Sequence, residues 1–347
     1  MNTFDNLAKK VLHESLRVQK GETVTVETWK TGLEFAKRII LEARKIGAST
    51  LLLFEDESTF IESAKTVPKE NLGLMGRHEF ALLSHTNVYI FIPGPPIAAY
   101  TKAVTQDERS AATAYNHAWY DAAEKAGLRG ARLSFGYIGS DIAKLYGKSQ
   151  KAIVSHQLKA SFVDLNEMRV KGNQIAAKLE DGFDASIVSR EGNINFILEG
   201  DAIVEDGIVD DKDVAQGNNM IYIPPGRVRK HINPKSLNGS IEVSLAEIYS
   251  GRVEGIKLEF KEGFLSSWSA KRNAKLLDSL VEKITPERMQ VSFIELGINP
   301  LMKYGNAQDR FVSGAITIGL PRLAGVLYAA SFYTKEVSLV EKGMLSL

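Results

Sequence analysis

Cysteine is absent from this 347-residue chain. That excludes disulfides, a thiolate nucleophile, and cysteine-ligated zinc or iron–sulfur clusters. Excess charge is nearly absent as well: 43 Lys and Arg stand against 42 Asp and Glu, leaving +1. Such a balance exerts no bulk pull on nucleic acid or an anionic membrane, so neither partner is expected. No stretch approaches ~20 uninterrupted apolar residues, so no membrane-spanning helix is expected. The opening Met1-Asn2-Thr3-Phe4-Asp5-Asn6 has no apolar region behind it, so no secretory leader is expected. Together with the missing cysteines, this reads as a cytoplasmic protein.

Histidine is scarce and unevenly placed. His13, His78, His85, His117, His156 and His231 are all there are, and none follows His231. No H-E-x-x-H, H-x-D or Cys/His metal spacing is present. There is also no G-x-G-x-x-G after a strand, no phosphate-binding G-x-x-x-x-G-K-[ST], and no G-x-S-x-G nucleophile elbow. The five earlier histidines read as helix-surface or hydrogen-bonded structural residues.

What is there divides the chain in two, as its length suggests. In residues 1–160 strand and helix patterns alternate. Phe4, Leu7, Val11, Leu12 and Leu16 recur at helical spacing, and Thr23–Thr28 is a β-branched strand. Leu33 to Ile46 carries a helix stripe that Gly47 can cap. Thr50–Phe54 is a continuous apolar run, the pattern of a strand covered on both faces. Asn87–Ile92 is a further strand, stopped by Pro93-Gly94-Pro95-Pro96. A helix over about 106–126 and a strand over Arg132–Phe135 complete an open, mostly parallel α/β domain. Residues 161–347 change character. Ala185–Ser189, Asn193–Glu199, Ser240–Ala246 and Val253–Phe260 read as strands joined by Gly, Asn and Asp turns, with a helix over Ala270–Lys283. This is an α+β domain dominated by antiparallel pairing.

Two segments of the second half carry chemistry. Arg227, Arg229, Lys230, His231 and Lys235 follow Pro224-Pro225-Gly226. They read as a basic loop, either simply solvated or, if it lines a cleft, an anion or carboxylate site. In Phe293-Ile294-Glu295-Leu296-Gly297 an acid is embedded in an apolar strand. A buried carboxylate is costly unless paired, so Glu295 is expected to have a cationic partner.

With these segments and their spacing, the chain resembles the thermophilic metallo-aminopeptidases of the aminopeptidase T and aminopeptidase S type, metallopeptidase family 29. The matching pieces are Met168-Arg169-Val170-Lys171-Gly172, Asn193-Ile194-Asn195-Phe196, Gly207-Ile208 and Ile223-Pro224-Pro225-Gly226-Arg227-Val228. They continue through Asn238-Gly239-Ser240-Ile241, Val253 to Phe260, Ile294-Glu295-Leu296-Gly297 and Gly314 to Gly319. The resemblance implies a dimer with a cleft between two domains. It also implies two divalent metals in the C-terminal domain, held by two glutamates, a His, a Tyr and a late His-x-Asp pair. Carried over by position, Glu295 is the second glutamate. Arg227 stands where the first should be, and Ala315 where the His should be. The segment Gly325 to Tyr333, where His-x-Asp is expected, contains neither residue type. One carboxylate cannot hold a divalent pair against water.

The expected function is therefore a non-catalytic, pseudoenzyme-like binding or assembly homologue with no cofactor. It is expected to form a homodimer or higher homo-oligomer that takes a peptide or an acidic small molecule. The candidate cleft residues are Arg227, Arg229, His231, Glu295 and Asp309. The alternative is a divergent metal-dependent aminopeptidase using zinc, cobalt or manganese, for which His231, Glu242, Glu254 and Asp309 are the nearby candidate ligands. One-iron ring-opening dioxygenases share the scaffold, but their site also needs the missing His-x-Asp pair.

Overall fold

The structure is a computed structural model that describes residues 3–94, 113–189, 192–248, 251–282, 291–319, 331–334, 338–341 and 343–345. The chain divides into two compact units. The first takes Met1–Leu165 and Gly207–Pro225; the second takes Asn166–Asp206 and the described residues from Gly226 onward. Residues 207–225 thus return to the first unit, an excursion that a single cut near residue 160 does not contain.

In the first unit β1 (Thr23–Trp29), β2 (Ser49–Glu55), β3 (Val88–Ile92), β4 (Arg129–Leu133) and β7 (Met220–Ile223) form a parallel sheet in the order β2-β1-β3-β4-β7. The β-branched run of β1 supplies Val24 and Val26 to one face, where α1 (Thr3–Lys9) and α2 (Leu33–Ile46) pack Leu7, Phe35, Ile39 and Ala43 against it. Gly47 ends α2 at φ 93°, with its N–H on the Ala43 and Arg44 carbonyls, as its capping role requires. The N-terminal stripe departs from a plain α-helix: Lys10–Ser15 widens into a π-helical turn, with Leu16 N–H bonded to Val11 C=O. β4 begins three residues before the expected Arg132, and Ser134–Tyr137 is a 3-10 turn. Pro95 and Pro96, and the expected helix before Thr113, lie outside the described residues. β2 is not covered on both faces. It is an edge strand, and Leu51, Leu52 and Phe54 are exposed.

The second unit is built on an eleven-stranded, antiparallel-paired sheet. Its strands are β5 (Asp184–Ser189), β6 (Gly192–Glu205), β8 (Arg227–Ile232), β9 (Asn238–Ile248), β10 (Gly251–Lys261), β11 (Phe264–Arg272), β12 (Phe293–Gly297), β13 (Ile316–Gly319), β14 (Ser331–Thr334), β15 (Ser338–Glu341) and β16 (Gly343–Leu345). Where a helix was expected from Ala270, the chain stays in β11 through Arg272, and the helix occupies Ala274–Glu282. The basic segment is also not a loop. Arg227–Ile232 is an interior strand, with β6 on one side and β12 on the other.

Candidate functional site

Strand alternation sorts the basic run. Val228, Lys230 and Ile232 are buried on one face of β8, and Lys230 donates its Nζ–H to the Gly200 carbonyl. Arg227, Arg229 and His231 fall on the other face. The start of β8 is fixed by Gly226, whose N–H bonds Glu205 C=O at 3.1 Å and whose C=O accepts from Ile298 N–H at 2.9 Å. Its φ of 126° and the closeness of Asn299 and Met168 leave no room for a side chain there. Across the ladder Arg229 is opposite Glu295, and Arg227 is opposite Gly297 on one side and Glu205 on the other.

These registers bring two guanidinium groups onto one carboxylate oxygen. Arg227 Nη1 donates to Glu295 Oε1 at 2.6 Å. Arg229 Nε and Nη2 donate to the same oxygen at 2.9 and 2.6 Å. Arg227 Nε donates to Glu205 Oε2. Glu295 is 0% exposed, and Arg227 and Glu205 are 8% exposed each. Aromatic rings line the cations: Arg229 lies 4.5 Å from the Phe293 centroid, and Arg227 and Arg310 lie 5.7 and 5.0 Å from that of Phe311. Gly297 permits this closeness, since a Cβ there would strike the Val312 and Arg310 carbonyl oxygens. Beside the cluster, Arg169 Nε pairs with Asp206 Oδ2 at 2.5 Å.

Burial alone would push the Glu295 carboxyl up. The charges of Arg227, Arg310 and Arg229, with the Arg229 hydrogen bond, outweigh it and hold the group at about 2. All three donors converge on Oε1, and Oε2 makes no hydrogen bond among the described residues. Thr317, directly opposite Glu295 on β13, is also fully buried, and its Oγ1 is likewise without a partner.

The other candidates have partners of their own or stand at the surface. His231 is exposed, and none of its hydrogen bonds or ion pairs among the described residues reaches Glu295. Asp309 is buried, but its carboxylate accepts from Gly305 and Asn306 N–H at 2.9–3.2 Å and so staples a turn. Glu242 pairs with Lys271 at 2.6 Å, and Glu254 with Arg272 at 3.4 Å, on β9 and β10. Ala315 is buried immediately before β13. Residues 325–330 lie outside the described residues, and so do the side chains of Ser331, Phe332 and Tyr333. Arg229 is a candidate in the sequence, but its bond to Glu295, the Glu205 partner and the flanking rings were missed there. Once the basic run is taken as a strand, its alternation would have paired Arg229 with Arg227.

The donors among the described residues do not fit a divalent ion. Among the described residues no three His, Asp or Glu side chains converge. Glu295 has one oxygen engaged by two permanent cations and one that is buried without a hydrogen bond among the described residues. Zinc, cobalt or manganese needs several anionic or imidazole donors and would have to displace guanidinium groups to reach this carboxylate.

A second carboxylate, in the first unit, contrasts with Glu295. Glu27 on β1 accepts from the Tyr89 hydroxyl on β3. Burial pushes its carboxyl up to about 7, the Tyr89 bond opposes the shift, and neighbouring Glu55 adds to it.

No family model and no curated protein matches the chain. Among solved structures it is similar to 2,5-dihydroxypyridine dioxygenase from Pseudomonas putida, with a TM-score of 0.61, 12% identity, and coverage of 100% of this chain and 99% of that one. It is also similar to wild-type AmpT from Thermus thermophilus, with a TM-score of 0.69, 13% identity, and coverage of 98% of this chain and 94% of that one. At these identities the likeness is one of fold: along almost its whole length the chain has the architecture of AmpT, an aminopeptidase T-like fold.

Proposed function

We propose that this chain is a non-catalytic homologue of the aminopeptidase T-like proteins, in which fixed arginine charges stand in place of bound metal. The observation that carries this reading is the convergence of Arg227 and Arg229 on Glu295 Oε1. A glutamate held in this way is already neutralised. Releasing it to a metal would break three charge-assisted hydrogen bonds, two of them from Arg229. The protein acts instead by binding. Arg229, whose side chain is about one-third exposed, offers its guanidinium to a carboxylate. A peptide and an acidic small molecule both present such a group.

Elemental analysis of the native protein, followed by a peptide-library cleavage assay with added zinc, cobalt or manganese, tests the reading. The expected result is no stoichiometric metal and no released N-terminal residue. Retention of peptides on the immobilised protein should be lost in Arg229→Ala. Two equivalents of metal, or metal-dependent release of N-terminal residues, would overturn the proposal in favour of a divergent aminopeptidase.

A further inference from the structure

Arg229 is held by one edge of its guanidinium plane. Nε and Nη2, which form the side-on edge, both donate to Glu295 Oε1 at 2.9 and 2.6 Å. The end-on edge runs between Nη1 and the second hydrogen of Nη2, and Nη1 makes no hydrogen bond among the described residues. The Glu295 side chain is 1% exposed and that of Arg229 32%, so Arg229 meets solvent on the part turned away from the acid.

This free edge is also held still. Two bonds to a buried carboxylate fix its near side, and the Phe293 ring flanks the guanidinium with its centroid 4.5 Å away. The ring in turn lies over Gly319, where any Cβ would strike it. Ile203 on β6 stands directly across the ladder from Arg229, and Ile203 and Phe293 are both half-buried. The result is a fixed fork of N–H donors between two apolar side chains. Such a fork matches the paired oxygens of a carboxylate, and fixing it beforehand lowers the entropic cost of binding.

Charge narrows the ligand further. Arg227, Arg310 and Arg229 together hold the Glu295 carboxyl low, so a group arriving beside it meets positive potential. A carboxylate gains from that potential, and an ammonium next to the same carboxylate is repelled. Glu295 offers such an ammonium nothing, because Oε1 is engaged and Oε2 is buried.

We propose that the free edge of Arg229 binds a carboxylate whose neighbouring nitrogen is acylated, with the adjoining apolar side chain resting on Phe293 and Ile203. The C-terminus of a peptide and an N-acyl amino acid share this chemistry. A free amino acid and a peptide N-terminus lack it, so the end of a peptide that is read is the opposite of the one an aminopeptidase removes. The proposal rests on the non-catalytic reading, since it keeps Glu295 on arginine.

Calorimetry on the full chain without added metal tests it. N-acetylphenylalanine and an N-acetylated tetrapeptide ending in phenylalanine should bind. Free phenylalanine, N-acetylphenylalanine amide and inorganic phosphate should each bind at least about 10-fold more weakly. Tighter binding of the tetrapeptide supports a peptide terminus as the source, and equal affinity supports a small acyl amino acid. Arg229→Lys keeps the charge but removes the fork, and should weaken the acetylated acid at least about 10-fold. The proposal is overturned if neither acetylated acid binds, if any of the three controls binds as tightly, or if Arg229→Lys leaves the affinity unchanged. Should Arg229→Lys not fold, the ranking of ligands by the wild type still decides. Each of these failures leaves the non-catalytic reading standing. Binding that appears only with added zinc and vanishes with chelator overturns both.

Discussion

Glu27 and Glu295 are the same residue type, each on an interior strand, Glu295 fully buried and Glu27 partly so. Their carboxyls nonetheless move apart, to about 7 and to about 2. Burial acts upward on both, so the difference comes from the partners. A tyrosine hydroxyl supplies one neutral hydrogen bond to Glu27, and a further glutamate opposes its ionisation. Two arginines bonded to Glu295, and a third nearby, supply full positive charge. Of these two carboxylates, one is raised by burial toward the neutral form and the other is locked into an ion pair. Neither state is that of an open metal ligand.

The largest effect expected from breaking this contrast is that of Arg227→Ala. It removes one donor from Glu295 and the Nε partner of Glu205, and should cost about 3–5 kcal/mol in chemical unfolding. Unchanged stability would show that Arg227 does not neutralise Glu295. Next comes the acid limb of wild-type stability. The folded Glu295 value lies below the ordinary 4.5, so its contribution is complete above about 4.5 and is lost as pH falls toward 2. The loss should be on the order of 3 kcal/mol at most, and unfolding curves across that window should show it shrinking in Glu295→Gln.

The smallest effect belongs to Glu27, where the sign reverses. Its folded value lies above the ordinary one, so stability falls as pH rises from 4.5 to about 7 and then levels. Glu27→Gln keeps an acceptor for Tyr89 and should be the more stable protein at pH 8, by on the order of 1 kcal/mol. At pH 4 the two should unfold alike. A variant less stable at pH 8 would mean that Glu27 is ionised and well paired.

Much of the architecture is legible in the sequence because periodicity reports it directly. The stripe from Leu33 to Ile46 is the helix α2 to the residue, and the alternating segments around Asn193, Ser240 and Val253 are strands. Glu295 was identifiable as a buried acid from its apolar flanks. Elsewhere local pattern and environment part company. The charges of Arg227 to His231 suggest a solvated loop, but flanking β6 and β12 hold them in a strand, where burial is met by ion pairs. Glu205 lies beyond the expected end of β6, so its meeting with Arg227 depends on a pairing 22 residues away along the chain. The apolar run Thr50–Phe54 signals a strand but not what covers it. A core strand and an edge strand are written in the same residues, and only the sheet order separates them.

The most direct measurement is a carboxyl NMR titration of glutamate-labelled protein, with the Glu295 resonance assigned by its loss in Glu295→Gln. A midpoint near 2, unmoved by added zinc, is the predicted result. A midpoint in the ordinary carboxylate range, or a resonance displaced by stoichiometric zinc, would contradict the claim that arginine charge has replaced metal at this glutamate.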